Sequence, residues 1–231
     1  MRNWNPSVYQ LFNSGNNHLP VKDEIVYVVD DDEAIRDSLA FLLNANGFRV
    51  SCHENAERFL QALRFSDQDS LSCALLDIHL GGISGIELHN ALIKMNLNIP
   101  VAFITGHGEI TSAVNALKKG AVDFIQKPIK EDLLCNLVSA MLSKAYLDKV
   151  QRLELERINE KFRLLSVREA QVLDRIVTGR INKEIGLDLD ISVKTVEAHR
   201  ANIMEKFKVN RQAMLLKIAL KYQEAKARGL V

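Results

Sequence analysis

Five short β-branched runs alternate with amphipathic stretches between Lys22 and about Asp148, and this alternation constrains the fold more than any other feature of the chain. The runs are 25–31 (IVYVVDD), 48–53, 73–77 (CALLD), 101–105 (VAFIT) and 122–126 (VDFIQ). Helical periodicity fills the intervals at 33–46, 56–65, 85–96 and 110–119, and again from 131 onward. Five such units predict an α/β doubly wound, five-stranded parallel sheet with helices on both faces. The strands read as continuous apolar runs, as expected when both faces of a sheet are covered.

The last of these helices meets no stop signal after Leu142, and the stretch 143–162 holds neither Gly nor Pro. The expectation is a helical linker over 149–165. Leu155, Ile158, Phe162 and Leu165 form an apolar stripe on it that suits either a dimeric coiled coil or packing against the next domain. From 166 to 231 the pattern is helical throughout, which predicts an all-α domain. Residues 1–21, rich in Asn, Ser, Pro and Gly, read as a tail whose aromatic residues Trp4, Tyr9 and Phe12 leave an arm that docks on a partner as the alternative.

Charge separates the same segments. The chain carries 30 basic and 29 acidic residues, a net of +1 that taken alone argues against a nucleic-acid binder. Residues 22–148 hold 11 basic and 18 acidic side chains, a net of −7, whereas 166–231 hold 13 and 8, a net of +5. The neutral average conceals an acidic domain joined to a basic one. Cys52, Cys73 and Cys135 are odd in number and lack a CxxC pattern, so neither a disulfide framework nor a zinc site is expected. With no signal-peptide pattern and no apolar run of membrane-spanning length, the expectation is a cytoplasmic protein with no membrane partner.

In a doubly wound sheet, ligands bind at the carboxyl ends of the strands, where strand order reverses. There this sequence places Asp30, Asp31 and Asp32, then Asp77, Thr105 and the pair Lys127-Pro128. Carboxylates gathered on one edge repel unless a cation holds them, and Mg²⁺ favours a few carboxylates with waters and phosphate oxygens. An aspartate beside Mg²⁺ and a lysine is equipped to attack a phosphoryl group. In the order VVDD, LLD, FITG, KP the segment resembles the receiver domain of two-component response regulators. The resemblance implies a flavodoxin-like receiver with Asp77 as phospho-acceptor, and Asp30, Asp31, Asp77 and the backbone carbonyl of His79 as Mg²⁺ ligands. It implies Thr105 and Lys127 as phosphoryl contacts, Phe124 as the aromatic that changes rotamer, and a cis bond between Lys127 and Pro128. Asp32 is left to start the helix at Glu33. His79 and His107 flank this edge, but no transition-metal site is expected from them. Leu80-Gly81-Gly82 stands where receivers usually carry Met-Pro, and Ile129 where phenylalanine is common.

In the basic segment, NKEIGLDL (182–189), a short turn and SVKTVEAHRANIMEKFK (192–208) have helix-turn-helix spacing. Val196, His199, Ile203 and Phe207 follow the helical period and should face the core. The string LSVREAQVLDRIVTGRINKEI followed by TVEAHRANIMEKFKV is similar to the LuxR-type helix-turn-helix. That likeness implies base-edge contacts from Glu197, Ala198 and Ala201, with Arg200 also available, and phosphate contacts from Lys183, Lys194, Thr195 and Arg211. It also implies dimerisation through the last helix, about 211–220. Gly186 stands where alanine is frequent, and is expected to weaken its helix slightly.

Both halves together resemble a FixJ-like or NarL-like response regulator. The resemblance implies a transcription factor phosphorylated by a sensor histidine kinase, dimeric on phosphorylation, acting on promoter DNA and in contact with RNA polymerase, and no enzyme beyond phosphoryl transfer to its own aspartate and slow self-dephosphorylation. A Mg²⁺-dependent phosphohydrolase on the same sheet leaves 166–231 without a role. A constitutive DNA binder whose receiver only dimerises leaves the phosphoryl-site residues without one.

Overall fold

The computed structural model describes residues 24–66, 70–106, 117, 118 and 120–230. The N-terminal segment 1–21, His107 and most of the helix expected over 110–119 lie outside the described residues. The chain divides into two compact units, Met1–Asp148 and Lys149–Val231.

In the first unit the strands are β1 (Glu24–Val29), β2 (Val50–His53), β3 (Leu71–Asp77), β4 (Val101–Thr105) and β5 (Asp123–Gln126), all parallel, in the order β2-β1-β3-β4-β5. The described helices between them are α1 (Glu33–Ala45), α2 (Ala56–Phe65) and α3 (Gly85–Lys94), and α4 (Glu131–Arg163) follows β5. Side chains alternate across each strand, so one apolar sequence serves two cores. Val26, Val28, Cys73 and Leu75 pack in a cluster with Leu39 and Leu43 of α1 and Leu134, Val138 and Met141 of α4. Tyr27, Val29, Ala74 and Leu76 enter the other, with Phe59 of α2 and Leu88 and Leu92 of α3. Strand order reverses between β1 and β3, which puts the natural ligand crevice at their carboxyl ends.

In the second unit α5 (Val167–Val177), α6 (Asn182–Leu189), α7 (Val193–Phe207) and α8 (Gln212–Ala227) enclose one core that includes Val172, Ile176, Ile185, Val196, Ile203 and Phe207. His199, assigned to the core by its spacing, is only partly buried. Asp190 adopts the left-handed conformation between α6 and α7, and Ser192 caps α7 by accepting from the Thr195 N–H. The second half of α4 is held here. Leu155 and Ile158 are buried, and Phe162 stacks on Tyr222 of α8 at 3.8 Å and meets Phe207 edge-on at 5.1 Å. The stripe with two readings in the sequence is thus taken up within the second unit.

Gly186 corrects an expectation. It is buried in α6, its carbonyl accepts from the Ile191 N–H, and a Cβ there would lie 2.8 Å from the Ile191 carbonyl oxygen. The glycine permits the close approach of the turn, a gain that its low helix propensity concealed.

Candidate phosphoryl site and nucleic-acid interface

β1 and β3 each deliver one carboxylate to the crevice. Asp30, just past β1, is fully buried, and Asp77, the last residue of β3, is 6% exposed. The Lys127 ammonium joins them, donating to Asp30 Oδ2 at 3.0 Å and Asp77 Oδ1 at 2.8 Å. Lys127 follows β5; its N–H donates to the Thr105 carbonyl at 2.9 Å, and its bond to Pro128 is cis. The remaining oxygens also have donors: the Asp32 N–H reaches Asp30 Oδ1 at 2.9 Å, and the His79 N–H reaches Asp77 Oδ2 at 2.7 Å. Thr105 is buried at the end of β4, and Phe124 of β5 packs half-buried against the core cluster that contains Tyr27. Asp32 caps α1, accepting from the Ala34 and Ile35 N–H groups.

Asp31 is exposed, and among the described residues no three His, Cys, Asp or Glu side chains are grouped to hold a metal. The cluster proper is therefore two carboxylates and one lysine. Burial pushes the Asp77 carboxyl above its ordinary pKa; Lys127 pulls it down and the charge of Asp30 adds to the rise, and the net shift is upward. Burial opposes the Lys127 ammonium, but its bonds to Asp77 and Asp30 outweigh that and raise its pKa. Hard oxygen donors with negative charge in excess fit Mg²⁺, which binds through one or two carboxylates and completes its shell with waters and phosphate oxygens.

In the second unit Lys183, Lys194, Thr195, Glu197, Ala198, Ala201 and Arg211 are all exposed. Five of them, Lys194, Thr195, Glu197, Ala198 and Ala201, lie within the first nine residues of α7. Arg200 is held differently. Its guanidinium spans from α6 to the start of α8, donating to Asn182 Oδ1 at 3.0 Å and Gln212 Oε1 at 2.6 Å.

Two family models match the chain: "Response regulator receiver domain" over residues 26–139 and "Bacterial regulatory proteins, luxR family" over 163–219. The transcriptional regulatory protein FixJ of Rhizobium meliloti (strain 1021) is 40% identical over 198 residues, covering 86% of this chain and 96% of that protein. This chain is a response regulator with a LuxR-type DNA-binding domain. The response regulator protein TmoT of Ectopseudomonas mendocina is 35% identical over 211 residues, covering 91% and 94% of the two chains. Among solved structures, the response regulator StyR matches with a TM-score of 0.75 at 36% identity over 87% of this chain and 100% of that one. Full-length FixJ from B. japonicum matches at 0.54 and 36%, over 88% and 98%. The regulator thus pairs a flavodoxin-like receiver with a helical DNA-binding domain, the organisation of two-component transcriptional response regulators. Among its described residues no helix is long and apolar enough to cross a membrane.

Two residues of the regulator's site escaped the sequence reading. Gly85 opens α3, where its N–H donates to the Ile78 carbonyl at 3.0 Å, and a Cβ there would lie 2.0 Å from the Asp77 carbonyl oxygen. Only a glycine lets α3 start this close to the end of β3. The signal available was a glycine at a first helical position, between Ser84 and the Glu87 that completes a capping box with it. Arg36 donates to the Asp30 carbonyl at 2.8 Å and so ties the first turn of α1 to the end of β1. A cation one turn past an acidic run was the corresponding hint.

Proposed function

We propose that the regulator accepts a phosphoryl group on Asp77 from a sensor histidine kinase and binds promoter DNA as a homodimer in that state. In this reading residues 22–148 are the receiver, 149–165 the linker and 166–231 the reader, working in the cytoplasm with RNA polymerase as a downstream contact. The observation that carries it is the Lys127 ammonium bridging Asp30 and Asp77 at the topological switch point.

A carboxylate oxygen of Asp77 attacks phosphorus; the bond to the donor's imidazole nitrogen breaks as the new P–O bond forms, and the imidazole leaves with the electron pair. Lys127, already 2.8 Å from Asp77, meets the charge that develops on the phosphoryl oxygens. Asp30, Asp31, Asp77 and the His79 carbonyl would hold Mg²⁺, which supplies further neutralisation of that charge when bound. Thr105 then donates its hydroxyl to a phosphoryl oxygen, and Phe124 on the neighbouring strand changes rotamer in response. In this reading self-dephosphorylation is slow: Asp30, the second carboxylate of the cluster, has its oxygens engaged by Lys127 and the Asp32 N–H instead of by an attacking water.

On DNA, Lys183, Lys194, Thr195 and Arg211 contact phosphates and position the reader. Glu197, Ala198 and Ala201 face base edges, Glu as an acceptor for cytosine N4 and Ala against a thymine methyl. Arg200, braced by Asn182 and Gln212, has donors left for DNA while fixing the angle of α7.

Acetyl-phosphate labelling in Mg²⁺ tests the acceptor. Asp77→Asn is expected to lose the label completely, together with phosphorylation-dependent operator binding; label retained on that variant sinks the assignment.

A further inference from the structure

We propose that the second half of α4 is a working part of the DNA reader, in which Lys161 positions α7 for the base edges. The proposal rests on the reading that the N-terminal half of α7 faces DNA, and it concerns the second unit alone.

The observation that carries it is an exchange of lysines between two helix ends. α4 and α7 each hold a lysine in the last turn, Lys161 and Lys206. Lys161 Nζ donates at 2.9 Å to the carbonyl of Phe207, the last residue of α7. Lys206 Nζ donates at 3.0 Å to the carbonyl of Leu164, one residue past α4. The last carbonyls of a helix lack intrahelical partners and form the negative pole of its dipole, so an ammonium placed there answers both. α7 closes on Lys208 in the left-handed conformation, φ 54°. The Lys208 N–H donates to the Glu205 carbonyl and the Val209 N–H to the Met204 carbonyl, both inside the last turn, whereas the Phe207 carbonyl is answered from α4.

Other contacts fix the line of α4 against the same helices. Phe162 packs on both Phe207 of α7 and Tyr222 of α8, the Tyr222 hydroxyl donates to Asn159 Oδ1 at 3.4 Å, and Glu154 pairs with Lys221. Val196, Ile203 and Phe207 bury one face of α7, but apolar burial is non-directional and holds a helix against a core more firmly than it sets its tilt. A hydrogen bond at the helix end supplies that direction. Base-edge hydrogen bonds are made over a range of about half an ångström, so a small tilt of α7 weakens them. Phosphate contacts carry no sequence information and tolerate it better. Lys161 isolates the effect, because Lys206 also serves Glu169.

The test uses the full-length chain with acetyl phosphate and Mg²⁺, a duplex that the parent protein selects from a random-sequence pool, and a scrambled duplex of the same length. Lys161→Met is expected to bind the selected duplex about fivefold more weakly, the scale of one intramolecular hydrogen bond. Its affinity for the scrambled duplex should stay within about twofold of the parent, with an unchanged dependence on salt. Lys161→Arg, which can still donate to the Phe207 carbonyl, should recover most of the loss. A salt slope lowered by about one would make Lys161 a phosphate contact. An equal loss on both duplexes would mean fewer folded molecules, and a lower melting temperature with unchanged binding would mean a bond that serves stability alone. Each of these overturns the proposal, as does a Lys161→Arg variant as weak as Lys161→Met. Ala198→Glu separates the two readings. If it binds the selected duplex as the parent does, α7 does not face DNA and both fall; if it fails to bind while Lys161→Met binds normally, only the role of Lys161 falls.

Discussion

Each unit of the regulator sets buried carboxylate against a single lysine, two acids in one unit and one in the other, and the two clusters are balanced in opposite ways. In the receiver, Asp30 and Asp77 share the single ammonium of Lys127. In the DNA-binding unit, Glu169 has Lys206 to itself at 2.6 Å, and it also accepts from the Ser166 N–H at 2.7 Å. Lys206 donates in addition to the Leu164 carbonyl at 3.0 Å, which ties α7 to the segment preceding α5. The pKa shifts separate accordingly. Burial and Asp30 leave Asp77 raised, whereas for Glu169 burial pushes up but Lys206 and Ser166 outweigh it, and the carboxyl is lowered. A cluster that is complete serves as a clamp. One left with surplus negative charge leaves room for a further cation.

Removing the lysine from each cluster is the strongest way to break this comparison. Lys127→Met leaves two carboxylates facing each other without a counter-charge. Breaking a buried pair from one side costs about 3–5 kcal/mol, and the partial exposure of Lys127 reduces the expected loss to about 2 kcal/mol in urea unfolding of the receiver. Added Mg²⁺ should restore much of that loss and raise the melting temperature of the variant more than that of the parent protein. Lys206→Met should cost the DNA-binding unit about 1–2 kcal/mol, because Lys206 too is partly exposed, and Mg²⁺ should restore none of it. Equal rescue of both variants by Mg²⁺ would erase the distinction drawn between the clusters.

Acid should reveal the same contrast with a change of sign. Asp77 has a raised pKa in the folded state, so its ionisation opposes folding once the pH exceeds its unfolded pKa, and Asp77→Asn should melt a few degrees above the parent at neutral pH. That gap should close as the pH falls below the ordinary carboxylate range, where the side chain is protonated in both states. Glu169 has a lowered pKa, so its stabilisation is present above the unfolded pKa and lost as the pH falls through the folded one. Glu169→Gln should therefore melt below the parent at neutral pH, with a gap that also closes in acid. Thermal melts of both variants from pH 7 down to pH 3 supply the check, and gaps of the same sign would contradict the assignment of the two shifts.

Most of the framework behind these clusters was legible in the sequence, because period and strand-end chemistry are local. Runs such as VVDD and CALLD placed Asp30 and Asp77 at strand ends, and the strand period together with the resemblance to receivers left Asp32 to start the helix at Glu33. The clamp was not legible. Glu169 and Lys206 stand far apart in the chain among many other charges, and only the packing of α5 against α7 makes them partners. Asp31 shows the converse limit: a run of three aspartates reads as one acidic edge, yet the turn into α1 buries the first, exposes the second and uses the third as a cap. The stripe on α4 showed its period plainly, but period alone does not say which surface covers it. Glycines were the hardest to read, because their meaning lies in what a missing Cβ allows to come near.

The smallest predicted effect concerns such a glycine. On helix propensity alone, Gly186→Ala in α6 should stabilise the DNA-binding unit by about 1 kcal/mol. The geometry argues for the opposite sign. A Cβ at 186 would stand 2.8 Å from the Ile191 carbonyl oxygen, a backbone atom in the turn that sets α7 against α6. Because the Ile191 N–H already donates to the Gly186 carbonyl, the turn cannot move away without stretching that bond. Overpacking of this kind costs about 1–3 kcal/mol, so the expected net is a loss of about 1 kcal/mol in urea unfolding. Operator affinity should fall by a similar factor on every sequence, since α7 is displaced as a whole and no base contact is altered. A stabilised variant would mean that the turn has slack, and that the DNA-binding unit is less rigid than its completed ion pair implies.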